Sequence, residues 1–335
     1  KLITNVILIL YKLFNLNNDK QNLIYYFIKN MGKLSIGVDI GGSHITSVAI
    51  DIKKRQVLKN SAVTKKVDPN GNAKNIIKTW GLCIKNTIDL AGKNKISGIG
   101  IAMPGPFDYK NGVALFEGVA KFGHLLRVNI KTALAEKLLL GNEQIRFVND
   151  ASAFGIGETW LGGTNKYKRV LAITLGTGFG SSFLENGIPI VRGNFVPENG
   201  WVYNLPFENG IADDYFSTRG FVTRYFQQTG RRILGVKELA ERYENDIFAR
   251  QLFPDFGIKL ACFLEPILTL FQADAIVLGG NISKTFPLFG EIFEKSLKEK
   301  GCFLKIFTAT LKENAALFGS ARLTDNDFFS NLNYS

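Results

Sequence analysis

Apolar and β-branched residues crowd Leu34–Ile40 and again His44–Ile50, and the break between the two runs is the bare stretch Gly41-Gly42-Ser43. Such runs on either side of a glycine pair predict two strands around a tight turn, and Val57–Val63 reads as a third. Then the period changes. From Asn75 to Leu90, Ile76, Ile77, Trp80, Cys83, Ile84 and Ile88 recur at helical spacing. Ser97–Met103 follows as a short buried strand, which Pro104-Gly105-Pro106 stops abruptly. A second helix near Ile130–Leu140 leads into strand Ile145–Val148. Strands alternating with helices in this way argue for an α/β architecture.

The second half partly copies the first. Val170–Leu175, the turn Gly176-Thr177-Gly178-Phe179-Gly180, then Ser181–Leu184 repeat the strand, glycine turn and strand of residues 36–51. An apolar helix over Ile258–Phe271 precedes strand Ala275–Leu278 and the turn Gly279-Gly280-Asn281. A last helix spans about Asn314–Leu323, and the tail after Thr324 reads as loose. Two related units with phosphate-sized turns imply a duplicated fold of two domains with a central cleft. The expected division is 31–147, completed by a C-terminal helix at about 310–325, and a larger domain over 148–309.

Composition narrows the class. At 335 residues and 46% hydrophobic, the chain can bury a substantial core. Its net charge of +12 is scattered in short groups such as Lys53-Lys54-Arg55 and not gathered in a basic run, which argues against a nucleic-acid partner. Cys83, Cys262 and Cys302 are far apart and form no CxxC pair, so a reducing cytoplasm is expected. Residues 1–30 stand apart: 26 of the 30 are Lys, Leu, Ile, Asn, Tyr or Phe, and none is Gly, Ala, Pro or Ser. They read as translated upstream or disordered sequence before a start at Met31. Their apolar run, Val6–Tyr11, is too short to span a bilayer, and no membrane partner is expected.

Asp39 and the glycine pair after it admit two readings, a plain β-hairpin turn or backbone N–H groups that bind phosphate beside a carboxylate that positions hydrated magnesium. Asp150 opens the helical stretch DASAFGIGE. There it could cap the helix, or accept a proton from an attacking hydroxyl at the carboxyl end of a strand.

The joint order of the motifs carries more than any one of them. Asp39-Ile40-Gly41-Gly42-Ser43, Met103-Pro104-Gly105-Pro106, Asn149-Asp150-Ala151, Leu175-Gly176-Thr177-Gly178-Phe179-Gly180 and Leu278-Gly279-Gly280-Asn281 run in an order that resembles the ROK family of sugar kinases, over Met31 to about Leu323. The resemblance implies the duplicated actin-like ATPase (ribonuclease H-like) fold, a glucokinase-like activity using ATP and Mg2+, and a homodimer. It implies Asp150 as catalytic base, and ATP contacts at Asp39, Gly41, Gly42, Ser43, Gly176, Thr177, Gly178, Gly279, Gly280 and Asn281. Sugar contacts fall on Gly105, Asn149, Asp150, Glu198, Trp201 and Asp213.

The chain departs from that pattern around the sugar. Where many members have ExGH, it reads Glu198-Asn199-Gly200-Trp201, and GCLExYxS appears as Gly210-Ile211-Ala212-Asp213-Asp214-Tyr215-Phe216-Ser217. Trp201 could stack on a pyranose ring or fill a core. Between Pro197 and Gly220 there is no Cys or His, so no structural zinc is expected. Lys121-Phe122-Gly123-His124 lies where many members have a sugar-contacting Asn. Phosphorylation of the glucose 6-hydroxyl is the expected reaction, with an N-acetylhexosamine or fructose kinase as the alternative. From another class, a sugar-binding regulator or a pseudokinase would share these features without transfer.

Overall fold

The computed structural model describes residues 34–117 and 121–332; the expectation for residues 1–30 lies outside them. Two mixed sheets organise the chain. In the first, β1 (Leu34–Ile40), β2 (His44–Asp51), β3 (Gln56–Val57), β4 (Val63–Lys66), β5 (Ile96–Met103) and β6 (Ile145–Asn149) take the order β3-β2-β1-β5-β6, with β4 also paired to β2. In the second, β7 (Arg169–Leu175), β8 (Phe179–Glu185), β9 (Ile188–Ile190), β10 (Ala275–Gly279) and β11 (Lys305–Thr308) take the order β9-β8-β7-β10-β11.

Each sheet opens with an antiparallel hairpin, β1–β2 or β7–β8, and its first strand then pairs in parallel with a later one, β5 or β10. The same connectivity appears twice. This is the duplicated actin-like ATPase fold.

Helix α1 (Ala73–Ala91) covers the first sheet, as its helical stripe predicts, with Trp80, Cys83 and Ile84 fully buried. Asn72 caps it by accepting the Asn75 N–H at 2.9 Å, and Gly92 ends it in a positive-φ conformation. Helix α2 (Ile130–Leu138) leads to β6, and α3 (Asp150–Trp160) starts where β6 ends. In the second half, α4 (Ile247–Phe271) and α5 (Phe286–Glu299) pack together around an aromatic core that includes Phe253, Phe256 and Phe289. Helix α4 begins earlier than its apolar run suggested, because Asp246 caps it by accepting the Phe248 and Ala249 N–H groups.

Helix α6 (Asn314–Arg322) joins the two halves. A Cβ on Gly37 of β1 or Gly100 of β5 would overlap its backbone, so bare strands let it lie close against the first sheet. Its Gly319 meets the backbone of α3 at Ala153, while Gly157 of α3 meets Ala315. With no side chain between them the two backbones touch, and the sheet that each serves is placed relative to the other.

Two expectations need correction. Val57–Val63 is not one strand: the chain turns through Asn60 at φ 60°, Ser61 bonds back to Leu58 and Ala49, and pairing resumes only at Val63. The tail is not loose either. Asp325 caps a further short helix, Asn326–Ser330, whose Phe328 is buried. Arg146 lies 4.0 Å from the ring of Phe329.

Candidate active site

The two glycine turns share one design. Gly41 N–H closes the first by donating to His44 O at 2.9 Å, and Gly176 N–H closes the second by donating to Gly178 O at 3.0 Å. The next amides, of Gly42 and Ser43 in one turn and Thr177 and Gly178 in the other, have no protein acceptor among the described residues. Pairs of open backbone donors at such turns form anion-binding concavities. Nothing in the fold explains the bareness of Gly176, whose Cβ would meet its nearest atom at 4.0 Å, or of Gly41, at 3.4 Å.

The third turn differs. A Cβ on Gly279 would strike the Phe154 ring, and one on Gly280 would overlap the carbonyl oxygen of Leu175, with φ at +82° besides. Packing requires these two glycines. Gly279 pairs with Thr174, which sets Asn281, exposed, beyond the end of β10 and beside the second hairpin.

Asp150 lies between the hairpins. On one side Asp39, the penultimate residue of β1, is close enough to be repelled by it; on the other, a Cβ on Gly180 of β8 would come 3.0 Å from the Cβ of neighbouring Ala151. Asp150 is open to solvent yet ringed by protein, and this concave setting desolvates the carboxyl and pushes its pKa up. The Ala151 N–H, donating to Oδ1 at 2.9 Å, and the charge of Lys121 pull the other way. Asp39 is pushed up to about 7, by burial first and then by the charges of Asp150 and Glu313. Three carboxylates therefore share one neighbourhood, with the cation of Lys121 set against them.

That cation was missed in the sequence. Lys121 lies with Nζ 2.6 Å from where a Cβ on Gly42 would be. No spacing rule could connect it with residues 79 positions before and 29 after. Tyr109 was missed as well: its hydroxyl donates to Met103 O at 3.2 Å and accepts from Asn149 Nδ2 at 3.1 Å. Burial, then the charge of Asp150, raises its pKa far above the ordinary tyrosine value. A Cβ on Gly105 would meet the same hydroxyl at 3.3 Å.

The expected sugar contacts divide. Asn149 is the cap of α3, its Oδ1 accepting from Ala151 and Ser152, so with Nδ2 on Tyr109 both ends of its amide are engaged. Asp213, too, is engaged at both oxygens, Oδ1 by the Phe179 N–H at 2.7 Å and Oδ2 by Arg219 at 2.9 Å. It braces the second glycine turn from below, together with Thr218, whose N–H and Oγ1 both donate to Gly176 O. Glu198 is exposed, and Trp201 is half-buried beside Tyr203, with ring centroids 5.9 Å apart. Ser181 fixes their turn to β8 by donating to Gly200 O at 2.6 Å and accepting from Val202 N–H at 3.1 Å.

The sequence matches the ROK family over residues 35–327. The chain belongs to the ROK family. It is 26% identical over 281 residues to N-acetyl-D-glucosamine kinase of Photobacterium profundum, covering 78% of this chain and 88% of that protein. With the glucokinase of Thermotoga maritima it shares 25% identity over 321 residues, 86% of this chain and 96% of that protein. Its fold superposes on a ROK family glucokinase from Streptomyces griseus, solved with glucose and AMPPNP, with a TM-score of 0.68 at 21% identity, covering 87% of this chain and 98% of that one.

Trp201 stands where the resemblance expects a His, and Asp213 braces the second glycine turn. Among the described residues, no group of three or more His, Cys, Asp or Glu side chains is placed to hold a metal ion. A magnesium ion held through water and phosphate asks for less, one or two carboxylates. Asp39 fits that demand, since a cation beside it would offset the burial and the repulsion that raise its pKa.

Proposed function

We propose that this protein transfers the γ-phosphoryl group of ATP to a hexose hydroxyl, with the 6-hydroxyl of glucose as the first candidate acceptor. The observation that carries this reading is the setting of Asp150: a desolvated carboxyl, open to solvent, between two turns that each present free backbone N–H groups. Kinship with sugar kinases across most of the chain supports it.

In this reading Asp150 accepts the hydroxyl proton as the sugar oxygen bonds to the γ-phosphorus and the bond from phosphorus to the β,γ-bridging oxygen breaks, releasing ADP. A raised pKa suits a base that works near neutral pH. The amides of Gly42, Ser43, Thr177 and Gly178 hold the phosphates, and their fixed dipoles meet the charge spread over the transferring group. Asp39 would hold magnesium through water, and the ion would neutralise phosphate charge. Gly279, Gly280 and Asn281, next to the second hairpin, are the expected neighbours of the adenosine. Glu198 and Trp201 would line the sugar side, with Gly105 and Asn149 setting Tyr109 against it. The protein would act in the cytoplasm; among the described residues no helix is long and apolar enough to cross a membrane.

An N-acetylhexosamine is the second candidate, favoured by the similarity to N-acetyl-D-glucosamine kinase and by the replaced histidine at Trp201. ATP-dependent ADP release should be measured against glucose, mannose, fructose, N-acetylglucosamine, N-acetylmannosamine and allose. A sugar-dependent rate names the acceptor. No rate with any of them, from folded protein that still binds a sugar, would replace the kinase with a sugar-binding regulator or pseudokinase.

A further inference from the structure

Helix α3 carries Asp150 at its start and Trp160 at its end, about 15 Å away at the rise of an α-helix. At the Trp160 end lies a cavity of about 450 Å³ lined by Arg55, Trp160, Lys166, Tyr167, Lys168 and Arg322 among others. That size falls in the range of small-molecule sites and exceeds what a bare phosphate needs.

Its charge is lopsided. Four cations face it, and among the described residues only Lys168 of the four is ion-paired, to Glu185 at 3.8 Å, which also pairs with Arg169 at 2.9 Å. The guanidinium of Arg322 lies 5.3 Å from the Trp160 ring and 4.2 Å from that of Phe328, and Arg55 approaches the same indole at 6.0 Å. Neither guanidinium donates a hydrogen bond or forms an ion pair among the described residues. Burial first, and then repulsion from Arg55, draws the pKa of Arg322 down to about 10 against the pull of Asp325.

For the partly buried Arg322, unused N–H donors beside a second cation are costly unless an anion completes them. The aromatic rings fix Arg322 in place, so little further ordering is required when a ligand arrives. Planar guanidinium groups match the paired oxygens of a phosphate.

We propose that this cavity is a second ligand site, separate from the one around Asp150, for a small molecule carrying a phosphate monoester. The cavity draws on both sheets: Arg55 follows β2, the Asn186-Gly187 turn joins β8 to β9, and Arg322 ends the bridging helix α6. A ligand there would tie the two halves together away from the site around Asp150.

Isothermal titration of the full chain with glucose 6-phosphate, adenosine monophosphate and inorganic phosphate, at constant ionic strength, tests the proposal. Saturable binding of at least one ester is expected, weakened about tenfold or more in Arg322→Met and in Arg55→Met. Comparing the two esters tells a sugar phosphate from a nucleotide. Arg55 is an exposed turn residue, so its variant keeps the test valid should Arg322→Met fail to fold. The proposal fails if the wild type binds neither ester, if both arginine variants that fold bind as the wild type does, or if Lys121→Met alone loses binding.

Discussion

A Cβ built on Gly42 would lie 2.6 Å from the Nζ of Lys121, so the ammonium group rests against the first glycine turn while its charge also reaches Asp150. Under the proposed reaction it sits where the transferring phosphoryl group must pass. Lys121→Met removes the charge but keeps the length of the side chain, and should lower kcat by roughly ten- to a hundredfold, the worth of a charge-assisted hydrogen bond. Gly42→Ala should act in the same direction by displacing the lysine, at a stability cost within about 0.5 kcal/mol, because the obstructing atoms are the end of a flexible chain. ADP-release kinetics beside thermal melts would separate the two effects, and full turnover in Lys121→Met would end its assignment to the reaction.

Asp150→Asn keeps the shape of the side chain and the acceptor for the Ala151 N–H while removing the base. Turnover should fall by about two to four orders of magnitude, with melting unchanged or slightly raised, since a desolvated carboxyl has been neutralised. A variant with wild-type kcat would show that the proton leaves by another route.

Asp39 ties stability to pH. Its pKa is about 7 in the folded chain against 3.8 for an unperturbed aspartate. Between those values the native state keeps a proton that the unfolded state has lost, so the carboxyl costs stability progressively as pH rises from about 4 to about 7. In Asp39→Asn that cost is absent. The melting temperature of the variant minus that of the wild type should therefore grow across this window and level off above it. ATP with Mg2+ should narrow the gap by favouring the ionised carboxylate. Parallel melting curves from about pH 4 to about pH 7 would mean that Asp39 is neither desolvated nor crowded by Asp150 and Glu313.

Much of this arrangement was legible in the chain. The strands around the glycine turns, helix α1 and the duplication all follow from local patterns of apolar residues and breakers, which depend on near neighbours. The break at Asn60 and the cap at Asp325 were missed because a single polar residue decided each against a run of apolar ones. Side-chain commitments were the harder part. Asp213 occupies the family's sugar-contact position, yet it is taken up by the Phe179 amide and by Arg219, and nothing in Gly210–Ser217 announces those partners. Lys121 was invisible for the converse reason, as its meaning comes wholly from what folds around it.

The glycine motifs make the sharpest division between folding and function. Gly280 has φ +82° and no room for a Cβ beneath Leu175 O, so Gly280→Ala combines left-handed strain with a backbone clash. It should destabilise the protein by at least about 2 kcal/mol and lower its melting temperature by several degrees. Gly176 is free of both constraints, with its nearest obstacle at 4.0 Å. Gly176→Ala should melt within about a degree of the wild type and still lose turnover, with the loss appearing as a raised KM for ATP, because the new methyl group occupies space that only a bound phosphate needs. Were Gly176→Ala to keep both its melting temperature and its KM for ATP, the second glycine turn would be a plain hairpin, and the phosphates would have to be held elsewhere.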